Sequence, residues 1–207
     1  SSMYLQKGEK ISMRNLLYGL MLSSGNDAAV AIAEAVSGDE AAFVELMNKK
    51  VGEIGADNTH LSNPNGLPND EHYSTARDMA KITAYALKNP TFAEIVSAKT
   101  RRIDDSGAAY PRVIKNHNRL LSMYDGCIGV KTGFTKAAGR CLVSAARRDD
   151  MTLVCVTLNA PDDWNDHQNL LDYGFENYKM TTVIGTGIPL CRTEVIGSDG
   201  KSVAVVP

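Results

Sequence analysis

Ile128-Gly129-Val130-Lys131-Thr132-Gly133, Cys141-Leu142-Val143-Ser144-Ala145-Ala146-Arg147 and Met151-Thr152-Leu153-Val154-Cys155-Val156-Thr157-Leu158 follow one another closely. Each reads as a strand, short, apolar and bounded by turn residues. Arg148-Asp149-Asp150 joins the last two, and so short a link permits only an antiparallel return. Asp162 to Tyr178 then reads as a closing helix, with Leu170, Leu171, Phe175 and Tyr178 inside. Upstream the pattern is helical. Ser12 is placed to cap a helix carrying Leu16, Leu17, Leu20 and Met21. A second helix starts near Asn26-Asp27 and stops at Gly38, and a third runs from Asp39 to Gly55. Residues 56 to 74 form a long loop turning at Asn63-Pro64-Asn65-Gly66. Thr75-Ala76-Arg77-Asp78 resembles a capping box opening a helix to about Lys88, and Pro90 suits the start of another. Lys99 to Asp104 and Tyr110 to Lys115 flank Asp105-Ser106-Gly107 as a hairpin. A helical block, an antiparallel set and a closing helix make an α+β fold, unlike the alternation of a parallel sheet.

At 207 residues the chain has room for one to two domains of about 150 residues. The main domain is read as 1–178. Residues 179–207, with short strands at Thr182 to Ile184, Thr193 to Ile196 and Ser202 to Val206, are too few for a core of their own. They read as an appendage or the start of a small β-rich second domain. Hydrophobic residues at 43% and charged residues at 22% fit a globular protein. The net charge of −2 lacks the basic excess a polyanion-binding protein uses, so nucleic acid is not an expected partner. The longest apolar runs span 7 residues, against about 18 for a membrane-crossing helix. The chain opens at Ser1-Ser2-Met3 with neither initiator Met nor secretion signal, and reads as a processed or trimmed product. Cys127, Cys141, Cys155 and Cys191 form no CxxC pair and lie near no histidine at zinc-like spacing, so no metal site is expected. Cys141 and Cys155 stand where a hairpin can bring them face to face, and the preferred reading is two buried thiols.

Chemistry concentrates in two short motifs 107 residues apart, Ser24-Gly25-Asn26 between apolar helices and Lys131-Thr132-Gly133 at a strand end, followed by Phe134-Thr135. Lys131 supplies a cation that can attract a carboxylate and shift the pKa of a neighbouring group. Thr132 adds a hydroxyl, and Gly133 allows a ligand to approach the strand backbone. His60, His72, His117 and His167 are dispersed, and His72 and His117 are expected to make structural hydrogen bonds. Trp164 among Asp162, Asp163 and Asp166 reads as a helix start.

Taken together, the two motifs resemble the second and third signatures of the penicillin-recognising serine enzymes. Thr59 to Leu67, His72 to Ala80, Asn116 to Leu121, Gly129 to Thr135 and Ala138 to Val143 narrow the resemblance to the low-molecular-mass D-alanyl-D-alanine carboxypeptidases (peptidase S11-like). It covers residues 1 to 178 and continues more loosely to 207. It implies a β-lactamase/transpeptidase-like fold, an antiparallel sheet flanked by helices. It implies an extracytoplasmic enzyme that removes the terminal D-Ala of peptidoglycan stem peptides through an acyl-serine intermediate, with no cofactor, and that binds β-lactam antibiotics as a full-length protein. Ser24 resembles the family's proton-relay hydroxyl. Asn26 resembles the amide that holds a substrate carbonyl and the general-base lysine. Lys131 joins them as a catalytic cation. Thr132, Gly133, Phe134 and Thr135 resemble its substrate-binding strand, with the Phe134 N–H in the oxyanion hole.

One departure stands out. The family's Ser-x-x-Lys, carrying nucleophile and base, precedes the Ser-Gly-Asn motif, yet none of the 23 residues before Ser24 forms it. The single match, Ser198-Asp199-Gly200-Lys201, falls in a glycine-containing turn, where its ends do not share a helix face. The chain is therefore expected to be an N-terminally truncated piece, inactive alone. Two alternatives are a class A-like β-lactamase and a non-catalytic peptidoglycan-binding relative. The first usually carries Glu-x-x-Leu-Asn, which is absent; Glu45-Leu46-Met47-Asn48 is shorter and lies on an expected helix.

Overall fold

The computed structural model describes residues 1–104, 111–182, 191–194, 196 and 202–205. Helices α1 (Met13–Ser23), α2 (Asn26–Ser37), α3 (Glu40–Ile54), α4 (Ala76–Ala86) and α5 (Pro90–Ser97) come first. Their starts follow from capping chemistry, because the first N–H groups of a helix lack internal partners. The Ser12 hydroxyl accepts from the Asn15 N–H at 3.2 Å, and the Asp39 carboxylate accepts from the Ala42 N–H at 2.8 Å. Thr75 accepts from the Asp78 N–H at 3.1 Å, and Asn89 accepts from the Thr91 N–H at 2.9 Å. Asp78 does not complete a capping box. Its buried carboxylate instead accepts from the Asn58 N–H and the Thr59 hydroxyl at 2.8 and 3.2 Å, tying the long loop to α4.

Strands β1 (Thr100–Ile103) and β2 (Arg112–Lys115) pair antiparallel. The turn expected at Asp105-Ser106-Gly107 lies outside the described residues. A short helix that the sequence reading did not anticipate, α6 (Leu120–Met123), precedes β3 (Cys127–Thr135), β4 (Gly139–Arg148) and β5 (Met151–Thr157). These three form an antiparallel sheet in the order β3-β4-β5, so among the described residues β3 keeps one unpaired edge. Alternation along the strands gives the sheet two apolar faces. Val130, Val143 and Ala145 pack with Val96 of α5. Leu142, Ala146 and Cys155 pack with Leu120 and with Leu171 of α7 (Asp163–Asn177). Helices thus cover both faces of the sheet, the expected α+β arrangement. Leu170 is exposed rather than inside, because the buried stripe of α7 runs through Asp163, His167, Leu171 and Gly174, and Tyr178, one residue past the end of α7, is exposed as well.

The chain divides into two compact units, Ser1–Asn177 and Tyr178–Pro207. The second holds the antiparallel pair β6 (Cys191–Glu194) and β7 (Ser202–Val205). Thr182 is not in a strand, and residues 183 and 184 of the strand expected there lie outside the described residues. Cys155 stands opposite Ser144, so it does not face Cys141 across the hairpin. Cys155 is buried and Cys141 only half-buried, and both are free thiols.

The helical core is seated on an N-terminal strap. Met3 is buried among Leu16, Tyr18, Leu22 and Ile32. Its Sδ lies 1.8 Å from where a Cβ on Gly19 would stand. Glycine inside a helix costs about 1 kcal/mol relative to alanine, yet here the space belongs to Met3. Gly19→Ala is therefore expected to cost about 2–3 kcal/mol through overpacking, a net destabilisation of about 1–2 kcal/mol after the propensity gain. Urea unfolding of the two proteins checks this, and a more stable variant contradicts the seating of Met3.

Candidate active site

The turn between α1 and α2 presents the first half of the site. Ser24 ends α1 in the left-handed region, at φ 58° and ψ 43°. Few non-glycine residues adopt this conformation, and it holds only where the surroundings enforce it. Here its N–H donates to the Leu20 carbonyl at 3.1 Å, and the Gly25 N–H donates to the Gly19 carbonyl at 3.1 Å. The chain then reverses into α2 with Asn26 as its first residue. The Asn26 N–H donates to the Ser1 carbonyl at 2.9 Å.

Strand β3 presents the second half. Lys131 reaches back to the α1–α2 turn, where its Nζ donates to the Ser24 hydroxyl and, at 2.7 Å, to the Thr132 carbonyl. Burial pushes its pKa down to about 8, because a low-dielectric site disfavours the ammonium ion. Among the described residues no carboxylate pairs with it. The hydroxyl of Thr135 accepts from the Ala138 N–H at 3.0 Å and so shapes the β3–β4 turn. Gly133 has only ordinary neighbours: a Cβ there would meet the Cys141 Cβ at 3.7 Å. Nothing among the described residues requires glycine at this position.

A cleft of about 600 Å³ runs along the open edge of β3. Ser24, Asn26, Lys131, Thr132, Gly133, Phe134 and Thr135 all line it, so the structure brings every candidate residue to one place. The sequence reading missed the rest of its wall. Asn65, Gly66 and Leu67 enter from the long loop, whose turn was legible but whose reach was not. Arg140, Asp163 and Trp164 line the cleft beyond Phe134. Arg140 stands directly opposite Phe134 in the β3–β4 ladder, a register that the hairpin itself could have suggested. Its guanidinium donates to the Asp163 carboxylate at 2.7 Å and lies 5.5 Å from the centre of the Trp164 ring. Asp163 and Trp164 are thus more than a helix start.

The histidines divide. His72 is structural as expected, its Nδ1 accepting from the Ser62 N–H at 3.1 Å. Burial, and then the charge of nearby His60, lowers its pKa. His117 departs from the expectation: its ring lines the cleft and makes no hydrogen bond among the described residues. Partial burial, followed by the charge of Lys131, lowers its pKa. His167 is fully buried beneath the sheet. Its Nδ1 is 2.6 Å from the Ser144 hydroxyl and its Nε2 is 3.0 Å from the Thr157 hydroxyl. Among the described residues, no three of His, Cys, Asp and Glu converge to hold a metal ion.

The family model for D-alanyl-D-alanine carboxypeptidase matches residues 1–162. The chain belongs to the D-alanyl-D-alanine carboxypeptidase family. Among curated members of this carboxypeptidase family, it is 36% identical over 182 residues to D-alanyl-D-alanine carboxypeptidase DacF of Bacillus subtilis, covering 86% of this chain and 46% of that protein. It is 39% identical over 188 residues to the D-alanyl-D-alanine carboxypeptidase of Streptomyces sp. strain K15, covering 84% of this chain and 65% of that protein. The chain therefore spans about half to two thirds of the length of these carboxypeptidases. The crystal structure of the Streptomyces K15 DD-transpeptidase superposes with a TM-score of 0.79 at 38% identity, over 85% of this chain and 72% of that one. Over 85% of its length the chain thus has the fold of that DD-transpeptidase.

Proposed function

We propose that this chain supplies the substrate-binding edge and the proton relay of an extracytoplasmic serine-type D-alanyl-D-alanine carboxypeptidase, which removes the terminal D-Ala from peptidoglycan stem peptides. The observation that carries this reading is the contact of Lys131 with Ser24 beside the open edge of β3. An extended peptide adds to such an edge by main-chain hydrogen bonds. Close approach of that peptide accounts for glycine at 133, where internal packing does not. The terminal carboxylate is taken by Lys131 with the hydroxyls of Thr132 and Thr135. Asn26, whose side chain makes no hydrogen bond among the described residues, takes an amide carbonyl of the substrate and contacts the base. The Phe134 N–H faces the developing oxyanion.

In the reaction a serine oxygen bonds to the penultimate D-Ala carbonyl, and the C–N bond to the terminal D-Ala breaks. Ser24 relays the proton from the nucleophile side to the leaving amine, and Lys131, its pKa lowered by burial to about 8, exchanges protons with it. Water then cleaves the acyl ester. The Ser-x-x-Lys that provides nucleophile and base is not among the residues before Ser24. Incubated with benzylpenicillin, the 207-residue polypeptide is expected to show no covalent adduct by intact-mass spectrometry. Joined to an upstream segment carrying Ser-x-x-Lys, it is expected to gain one adduct and to release D-Ala from a D-Ala-D-Ala peptide. An adduct on the 207-residue polypeptide overturns the first expectation. A joined protein that binds the peptide yet neither acylates nor hydrolyses favours the second reading, a binding relative without catalysis, which the absent Ser-x-x-Lys supports. The β-lactamase alternative gains nothing: Glu45 lies on α3, and it is not among the residues lining the cleft.

A further inference from the structure

Asp27, next to Asn26, is not among the residues lining the cleft, and its carboxylate is saturated with donors. It accepts from the Ser2 hydroxyl at 2.6 Å, the Met3 N–H at 2.8 Å, the Leu5 N–H at 3.0 Å and the Ala28 N–H at 3.0 Å. Burial works against its charge, but these hydrogen bonds outweigh burial and leave its pKa lowered. Residues 2–5 are thereby strapped across the start of α2. The strap carries Met3 into the space beside Gly19 and Gly25, the two glycines that flank the end of α1. It carries the Ser1 carbonyl to the Asn26 N–H. A second clamp holds its far end, where Arg112 pairs with Glu9 and donates to the Met3 and Tyr4 carbonyls at 2.9 and 3.0 Å.

We propose that Asp27 is a positioning residue of this site: by pinning the strap to α2 it holds Ser24 and Asn26 in place against Lys131. The left-handed backbone of Ser24 needs enforcement on both sides. The last turn of α1 supplies it on one side, and the strap, through Met3 and the Asn26 N–H, supplies it on the other. Asp27 touches neither substrate nor reacting atoms, so its effect travels through the strap. The role in catalysis rests on the functional reading given above, whereas the geometry itself does not.

Asp27→Asn presents an NH2 group to N–H donors where one carboxylate oxygen stood, and so releases the strap. The measurement is the titration of Lys131 by NMR of its labelled side chain in the folded 207-residue chain, together with affinity for an N-acetylated peptide ending in D-Ala-D-Ala. In the variant the Lys131 midpoint is expected to rise by about 1 pH unit as its pocket opens to water, and peptide affinity to fall about tenfold. Val51→Ala, in the buried face of α3 and away from the cleft, is the comparison: it lowers stability and leaves both readings unmoved. Ser2→Ala removes one of the four donors and keeps the test decisive where Asp27→Asn does not fold, with a smaller rise expected. A folded Asp27→Asn, or in its place Ser2→Ala, with the wild-type Lys131 midpoint overturns the proposal. A wild-type chain without affinity for the peptide overturns the functional reading, and the Lys131 titration then decides the role of Asp27.

Discussion

Replacing Lys131 with alanine, in a polypeptide that also carries a Ser-x-x-Lys pair, is expected to slow penicillin acylation by about 10²- to 10⁴-fold, the usual worth of a positioned proton-transfer group. This corresponds to about 3–5 kcal/mol of barrier. On the proposed mechanism two roles of the ammonium group contribute, and a second substitution separates them. Lys131→Arg keeps the positive charge, yet a guanidinium does not deprotonate in a protein and cannot exchange a proton with Ser24. Lysine at this site can, because burial brings its pKa down to about 8. The arginine variant is expected to retain much of the substrate affinity and little of the rate, a change in kcat rather than KM. Stopped-flow acylation and steady-state release of D-Ala check both. An arginine variant with the wild-type rate would show that charge alone suffices and would remove the proton relay from the mechanism.

Acid is expected to destabilise unit Ser1–Asn177 chiefly through His167. The ring is fully buried, and burial pushes its pKa down to about 4, with nearby Asp163 opposing part of the effect. The hydroxyls of Ser144 and Thr157 can serve either form of the ring, so desolvation of the imidazolium sets the direction. The unfolded chain has the ordinary histidine pKa of about 6.5. Between these values the unfolded state binds the extra proton. Stability is therefore complete above about pH 6.5 and falls as pH drops toward 4. At about 1.4 kcal/mol per pH unit the loss approaches about 3 kcal/mol. Urea unfolding at stepped pH values measures it, and His167→Gln is expected to flatten this part of the profile. Equal slopes in the two proteins would exclude His167 as the sensitive group.

Much of this could be read from the sequence for local reasons. Ser12, Asp39, Thr75 and Asn89 act on N–H groups two or three residues away, so helix starts are written in short strings. The strands at β3, β4 and β5 are legible for the same reason. The site motifs were legible because each is contiguous, and the resemblance supplied the pairing that an offset of 107 positions between Ser24 and Lys131 conceals. What escaped depends on distance. Asp78 looked like a local cap and turned to Asn58 and Thr59, because a buried carboxylate takes the best donors within reach. Leu170 looked internal, yet the face of α7 that is buried is chosen by the sheet it meets, and Tyr178 lies past the end of that helix. Arg140, Asp163 and Trp164 are spread over β4 and α7, and only their packing makes them one wall. Met3 gave no signal of its own; Gly19, an unlikely residue mid-helix, was the mark of its seat.

The backbone at position 24 also decides which alcohol can serve there. Threonine would offer the same oxygen, but its branched β-carbon is a steric misfit at a φ of 58°. The two hydroxyl amino acids, near-equivalents in most solvent-exposed loops, are not interchangeable at this corner. The choice between them is made by main-chain handedness before any substrate arrives.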